Sequence, residues 1–135
     1  MLEQIKTAIE YHIKSFIPYP IVYHGTDINT DGFETFIRVT ILGLGENTAI
    51  RKNQDIDSTI TVDFQINSSA ANSNTLFSAL DAVNNAFMHK SVFVYQDGIQ
   101  EPWGRLNAAK IDGRSLGRVG ADWQYNVTVD LRVFK

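Results

Sequence analysis

The residues best suited to chemistry lie in one short acidic segment, Asp27-x-Asn29-x-Asp31-Gly32. Oxygen-bearing side chains at alternating positions, followed by a glycine, match the first half of a calcium-binding loop. The position at which such a loop needs a bidentate glutamate holds Arg38, and the flanking sequence has the pattern of strands. The segment therefore has two open interpretations: a weak Ca²⁺ site, or a turn whose side chains cap their own backbone.

The remaining chemically capable residues are scattered. The histidines His12, His24 and His89 do not have the spacing of a zinc site, and the chain contains no cysteine. No serine lies in the Gly-x-Ser-x-Gly setting of a nucleophile elbow. We therefore expect a protein that is not an enzyme and that has no catalytic residues, no bound metal and no cofactor.

Two glycine-rich stretches, at residues 43–45 and 113–120, resemble phosphate-binding loops only superficially. The first lacks a third glycine and a following helix, and the second lacks the Gly-Lys-Ser/Thr ending. Both are predicted to be flexible hairpin connections. Arg114 and Arg118 in the second stretch are candidates for contact with an acidic partner.

Hydrophobic periodicity defines the elements that must position these residues. In chain order they are a helix at 2–16, strands at 21–24, 35–42 and 59–67, a helix at 74–90, and strands at 91–96, 105–111 and 123–133. A change of apolar register between Ala108 and Ala109 predicts a β-bulge. The order α-β-β-β-α-β-β-β predicts an α+β fold with a single, mainly antiparallel β-sheet of about six strands and both α-helices packed on one face.

Length and charge limit the classes of function. A chain of 135 residues suits a single domain spanning residues 1–135. Its 12 basic and 15 acidic residues give a net charge of −3, which provides no cationic footprint for gripping nucleic acid. No apolar run approaches the roughly 20 residues needed to cross a bilayer, and the first residues do not form a secretory signal. We expect a soluble protein made inside the cell.

The segment at residues 43–58 is unusually long for a connection between two strands, since most hairpin loops have about 2–5 residues. It is rich in charge, and its charged residues are Glu46, Arg51, Lys52, Asp55 and Asp57. We expect it to be either an extended arm or a segment that stays mobile until a partner binds.

Several large apolar residues are predicted to face outward. Strand alternation turns Phe36 and Leu42 away from the core, Trp103 falls in a turn beside Pro102, and Phe134 lies on the polar face of the last strand. Several such residues on one sheet face indicate a protein contact. The alternative is that the long arm covers this face.

With this order of elements, the chain resembles the tail terminator (tail completion) proteins of long-tailed bacteriophages. The resemblance covers nearly all 135 residues, including the opening helix, its Ile17-Pro18-Tyr19-Pro20 exit and the strand Phe-Ile-Arg-Val-Thr-Ile-Leu at 36–42. It continues through the charged arm, the middle helix and the alternating strand that ends at Phe134-Lys135. It is a resemblance of layout and size.

The resemblance implies a structural protein of the virion, located at the head-proximal end of the tail after synthesis in the host cytoplasm. Copies would form a ring, typically a hexamer, that caps the tail tube protein, stops its growth and presents a surface to the head-closure (connector) protein. DNA would pass through the bore without specific binding, and no membrane is involved. The length of the arm and the exposed apolar residues lead us to expect that two sets of residues make the contacts: the arm charges Arg51, Lys52, Asp55 and Asp57, and the apolar anchors Phe36, Leu42 and Trp103.

Other functions stay open on the sequence alone. A tail tube subunit or a head-closure subunit has a similar layout of elements. A small ligand-binding or enzymatic α+β domain is a further alternative, with a cleft formed by distant residues such as His24, Asp31 and Tyr95.

Overall fold

The computed structural model describes residues 2–26, 28–42, 59–69, 74–96, 98–120 and 122–134. The elements, in chain order, are α1 (Leu2–Phe16), β1 (Ile21–Tyr23), β2 (Thr35–Leu42), β3 (Thr59–Ser68), α2 (Asn74–Phe87), β4 (Ser91–Tyr95), β5 (Pro102–Val119) and β6 (Asp122–Phe134). This order agrees with the one predicted from hydrophobic periodicity.

The sheet differs from the prediction in its strand directions. The six described strands form one curled half-barrel sheet in the order β1-β2-β3-β6-β5-β4. β1 runs parallel to β2, with Ile21 opposite Ile37, while the other four neighbouring pairs are antiparallel. The sheet is therefore mixed, and the prediction of a mainly antiparallel sheet is wrong. The reason is that the connection after β1 returns the chain to the end of the sheet from which β1 started.

The two helices do not pack together on one face, so that prediction is also wrong. α2 packs against the middle strands β3 and β6, whereas α1 packs beside the edge strand β4 and against α2. Thr7 and Tyr11 of α1 line one groove shared with β4 and another shared with β1. α1 therefore lies between the two edge strands, across the open side of the curl, because curling brings both sheet edges towards a single helix.

One continuous core joins the helices to the sheet. α1 contributes Ile5, Ile9 and Ile13, whose four-residue spacing places them on one side of the helix and leaves them fully buried. Alternation along β3 buries a second row, Ile60, Val62, Phe64 and Ile66. The matching residues of β6 are Val127, Val129 and Leu131.

β5 is much longer than predicted, because it continues through the glycine-rich stretch to Val119. The prediction of a flexible connection at 113–120 is therefore wrong, and Arg114 and Arg118 are strand residues. The Tyr125 ring lies over Gly113 and leaves no room for a side chain at this position of β5. A Cβ atom at Gly113 would come within 2.8 Å of both Cε1 and Oη of Tyr125.

Two register shifts interrupt the pairing of β5 with β6. The first, between Ala108 and Lys110, confirms the bulge predicted at this point. The second lies between Ser115 and Gly117, where Gly117 has a φ of +69°. Such bulges add local twist and re-aim the side chains around them.

His12 joins the two helices within the core. Its Nε2–H donates a hydrogen bond to the carbonyl oxygen of Ala86, at 2.6 Å between the heavy atoms. Its ring packs against Phe16 and Phe87, with centroids 4.6 and 5.2 Å away. Burial lowers the pKa of His12 below 6.5, the bond to Ala86 opposes this, and the charge of Lys90 lowers the pKa further.

The lowered pKa of His12 predicts an acid-sensitive contribution to stability. The unfolded chain binds this proton more readily than the folded one, so the contribution is present above pH 6.5 and is lost as the pH falls through the folded-state pKa. Urea unfolding at a series of pH values from 7 to 5 measures the loss. In His12→Gln, which keeps a donor and cannot titrate, the free energy of unfolding should fall less steeply than in the wild type. His24→Gln is the exposed control, and equal slopes in all three proteins would contradict the assignment.

Gly113→Ala should destabilise the protein by about 1–3 kcal/mol, because the added methyl group overpacks against the Tyr125 ring. Gly32→Ala is the matched control, since a Cβ there meets no atom within 4 Å. Thermal unfolding of a double-mutant cycle with Tyr125→Ala identifies the cause. The cost of Gly113→Ala should disappear once the ring is removed, and an undiminished cost would show that the ring is not responsible.

Candidate functional site

The predicted charged arm is not part of the described chain. Residues 43–58, including Arg51, Lys52, Asp55 and Asp57, lie outside the described residues, as does Asp27 of the candidate calcium loop. The described part of that loop contains an Asx turn, in which the backbone N–H of Asp31 donates to Oδ1 of Asn29 at 3.0 Å. The described residues contain no group of three or more potential metal ligands. What is described of this segment fits the turn interpretation.

The predicted apolar anchors do not share one environment. Phe36 is only 8% exposed, and the Arg38 guanidinium lies 5.4 Å from its ring centroid, so its expected outward exposure is wrong. Trp103 lies in β5 instead of a turn and packs, partly buried, against the core. Leu42 is 49% exposed, as expected, and Phe134 is also exposed. Of these four residues, Leu42 and Phe134 are the ones able to contact a partner.

The residues suggested for a ligand cleft do not come together. His24 follows β1 and Tyr95 ends β4, and these strands form opposite edges of the sheet. His24 lines a cavity of about 290 Å³ on the polar side of the sheet, whereas Tyr95 lines a groove beside α1. Asp31 lines neither.

We call the cavity beside His24 the polar cavity. Strands β1, β2, β3 and β6 all contribute residues to its lining. The residues that give it its chemistry are Arg38, Asp63, Gln65 and Asn126. Asp63 accepts a hydrogen bond from Oγ1 of Thr128 at 3.3 Å, while Oδ1 of Asn126 is buried with no hydrogen-bond partner in the described part of the chain. Its lining offers hydrogen-bond donors and acceptors of the kind that hold a small polar group, and among the described lining residues no nucleophile is paired with a base.

A second depression, the α1–β4 groove, lies between α1 and β4 and has a volume of about 610 Å³. Its apolar wall consists of Tyr11 from α1 and Phe93 and Tyr95 from β4. Tyr11 is 73% exposed, and the two β4 side chains are about half exposed. Gln4, also in the groove, has a buried Oε1 with no hydrogen-bond partner among the described residues. Exposed aromatic residues around an unsatisfied acceptor are typical of a protein contact surface.

β5 also has a free edge. β4 pairs with β5 only as far as Asn107, which lies opposite Ser91. From Lys110 to Val119, β5 pairs with β6 on one side, and no described strand pairs with it on the other. Such an edge presents unpaired backbone donors and acceptors to a partner.

The charges along the free edge are mainly positive. Lys110 is paired with Asp112, at 3.0 Å between Nζ and Oδ2. Arg114 and Arg118 are exposed and make no ion pair with any described residue. Their predicted availability to an acidic partner fits this geometry, although they lie in a strand.

The α1–β4 groove was not predicted from the sequence. The signal was present in β4, where Phe93 and Tyr95 alternate with the buried Val92 and Val94, so that the strand is apolar on both faces. Tyr11 supplied a second signal, as a large aromatic residue on the polar side of an amphipathic helix. Neither signal identifies the groove until the fold brings α1 beside β4.

Substitution of a buried apolar residue and of an exposed one on β2 should change the free energy of unfolding by clearly different amounts. Phe36→Ala should lower the free energy of unfolding by about 3 kcal/mol, because it removes a buried aromatic side chain. Leu42→Ala, at an exposed position of the same strand, should change it by less than about 0.5 kcal/mol. Urea unfolding followed by tryptophan fluorescence measures both. An equally small change in the free energy of unfolding for Phe36→Ala would contradict the burial of Phe36.

Comparisons with known proteins support the fold without naming a function. Neither α1 nor α2 has the length and apolar character required to span a membrane. No protein-family model matches the chain, and no curated protein matches it. A solved structure of a protein named only by a sequence identifier is similar over 100% of this chain and 96% of its own, with a TM-score of 0.63 and 10% identity. At that identity the similarity shows a shared fold alone.

Proposed function

We propose that this chain is a structural subunit that forms a ring, caps the tail tube of a long-tailed bacteriophage and provides the surface to which the head joins. It acts by binding, without catalysis, cofactor or metal. The layout of its elements supports this proposal, as does the surface chemistry of the described residues. Its place would be the head-proximal end of the virion tail.

The observation that carries the proposal is the presence of two different unpartnered surfaces on one small fold. The α1–β4 groove is apolar and concave, and the free edge of β5 is a positively charged strand. A ring with one repeated contact needs two unlike surfaces on each subunit, because each copy meets its neighbours head to tail. A stable contact of this kind hides about 800 Å² on each partner, which a groove and a long strand edge together can provide.

One end of the sheet offers apolar residues for contact with the tube or the head. β2, β6 and β4 run in the same direction, since each is antiparallel to the strand beside it in the order β2-β3-β6-β5-β4. The last residues of β2 and β6, Leu42 and Phe134, therefore lie at the same end, and both are exposed. We assign this end to contact with the tail tube protein or with the head-closure protein.

The polar face of the sheet has a charge pattern that would let DNA pass without binding it tightly. Acidic and basic residues are interleaved there, with Lys110 opposite Asp130 and Arg132 following on the same strand. Asp130 also accepts a hydrogen bond from Thr61 at 2.9 Å. Interleaved charges do not form the continuous basic patch that binds phosphates tightly.

Two other candidate functions make different predictions. A tail tube or head-closure subunit has similar surfaces, but a tube subunit stacks without limit instead of stopping. The polar cavity, with the unpartnered Oδ1 of Asn126, favours a small ligand-binding domain. A ligand-binding domain of that kind would work as a monomer or dimer and would have no effect on tube growth.

Electron microscopy of tube assembly tests the proposal. Tail tube subunits of a long-tailed bacteriophage are polymerised with and without the purified protein, and tube lengths are measured. Shorter tubes with added density at one end are expected. Leu42→Asp combined with Phe134→Asp should weaken capping, whereas Phe77→Asp, on an exposed position of α2, should not. Unchanged, uncapped tubes would contradict the proposal, and tubes built from this protein alone would identify it as a tube subunit.

A further inference from the structure

Three features of the α1–β4 groove determine which segment could bind in it: its apolar wall, a buried acceptor and a negative charge. Its wall of Tyr11, Phe93 and Tyr95 calls for an apolar side chain. The buried, unpartnered Oε1 of Gln4 calls for a hydrogen-bond donor, because an unsatisfied buried acceptor is costly. Glu3 adds a negative charge to the lining. The complementary segment therefore has an apolar residue flanked by cationic donors.

Residues 114–118 of β5, Arg-Ser-Leu-Gly-Arg, have this composition. The bulge between Ser115 and Gly117 re-aims the residue between them, and Leu116 is 37% exposed. The backbone N–H of Gly117 donates to Oγ of Ser115 at 3.3 Å, which supports the bulged conformation. Arg114 and Arg118 carry only donors and make no ion pair with any described residue.

We propose that residues 114–118 of one copy bind in the α1–β4 groove of the next copy. Leu116 packs among the aromatic side chains of the groove. One flanking arginine donates to Oε1 of Gln4 and pairs with Glu3, and its planar guanidinium stacks on a tyrosine ring. This inference rests on the proposed ring and identifies the contact that closes it.

The two surfaces cannot meet within one subunit. In the β4–β5 pairing, Tyr95 and Phe93 lie opposite Pro102 and Arg105, near the start of β5. Leu116 lies more than ten residues further along the same strand, which at the rise of an extended chain is roughly 30 Å or more. The contact therefore joins different copies head to tail, and a suitable rotation between them closes a ring.

Cross-linking tests the contact directly, because the chain has no native cysteine. Phe93→Cys and Leu116→Cys are prepared as separate single variants, mixed and oxidised. Both positions are partly exposed, so the fold should be retained, and circular dichroism verifies this. Phe77→Cys mixed with Leu116→Cys is the control, since Phe77 is similarly exposed on α2 and lies outside the groove.

The expected result is a disulfide-linked dimer in the 93–116 mixture, formed several times faster than in either variant alone or in the 77–116 control. A protein carrying both cysteines should give a ladder of linked subunits that ends at one size. Glu3→Arg or Arg118→Glu alone should slow the formation of the cross-link. If Arg118 is the arginine that pairs with Glu3, the two substitutions together should restore the rate. If Arg114 is that arginine, Arg114→Glu should replace Arg118→Glu in the same experiment.

The outcomes separate this contact from the proposed function. A wild-type protein that elutes as an oligomer, with no cross-link above the control, would overturn the contact and leave the ring standing. A specific cross-link whose ladder grows without limit, with no capping of tubes, would support the contact and overturn the capping function. A monomeric wild-type protein that gives no cross-link and leaves tubes uncapped would overturn both.

Discussion

The structure depends on the closure of its curled sheet by the isoleucine stripe of α1. α2 covers the middle of the curl, and Ile5, Ile9 and Ile13 seal the space between the two edge strands. Burying a side chain of this size is worth about 1.5–3 kcal/mol, against a net stability of about 5–15 kcal/mol for a typical domain. The stripe therefore contributes a large share of the stability of the fold. The hydrogen bond from His12 to the end of α2 fixes α1 in its place.

The position of α1 also creates the surface that the proposed function uses. A helix lying between two sheet edges has an outer side that borders both, so Thr7 and Tyr11 line grooves on either flank. The far half of β5 runs beyond β4 and keeps an open edge. Bulges and charged residues on that edge disfavour unselective strand pairing, so its recognition depends on a partner with matching shape and charge. The same geometry thus stabilises the subunit and gives it two unlike contact surfaces, the α1–β4 groove and the open edge of β5.

The sequence predicted those features that depend on local periodicity. The stripe of α1, the alternation of β3 and the bulge beside Ala109 all follow from the spacing of apolar residues. The direction of β1 did not follow, because three residues carry too little pattern to fix a partner strand. The extension of β5 through Gly113 did not follow either, since it depends on pairing with β6, a later segment of the chain.

The candidate site was predictable only in part, for a related reason. Alternation gives the face of the sheet to which a side chain points, but not what covers that face. Phe36 was therefore expected to be exposed and is buried. Arg114 and Arg118 were expected to be available to a partner, and they are exposed. The α1–β4 groove requires two distant segments to meet, and no spacing within either segment reveals it.

Sedimentation velocity of the wild-type protein over a wide range of concentrations tests most directly whether this chain works by closed self-association. Closed self-association predicts one species whose mass is a fixed multiple of 15.2 kDa and does not increase further with concentration. A particle of 15.2 kDa at every concentration, or a series of species that grows without limit, would contradict it.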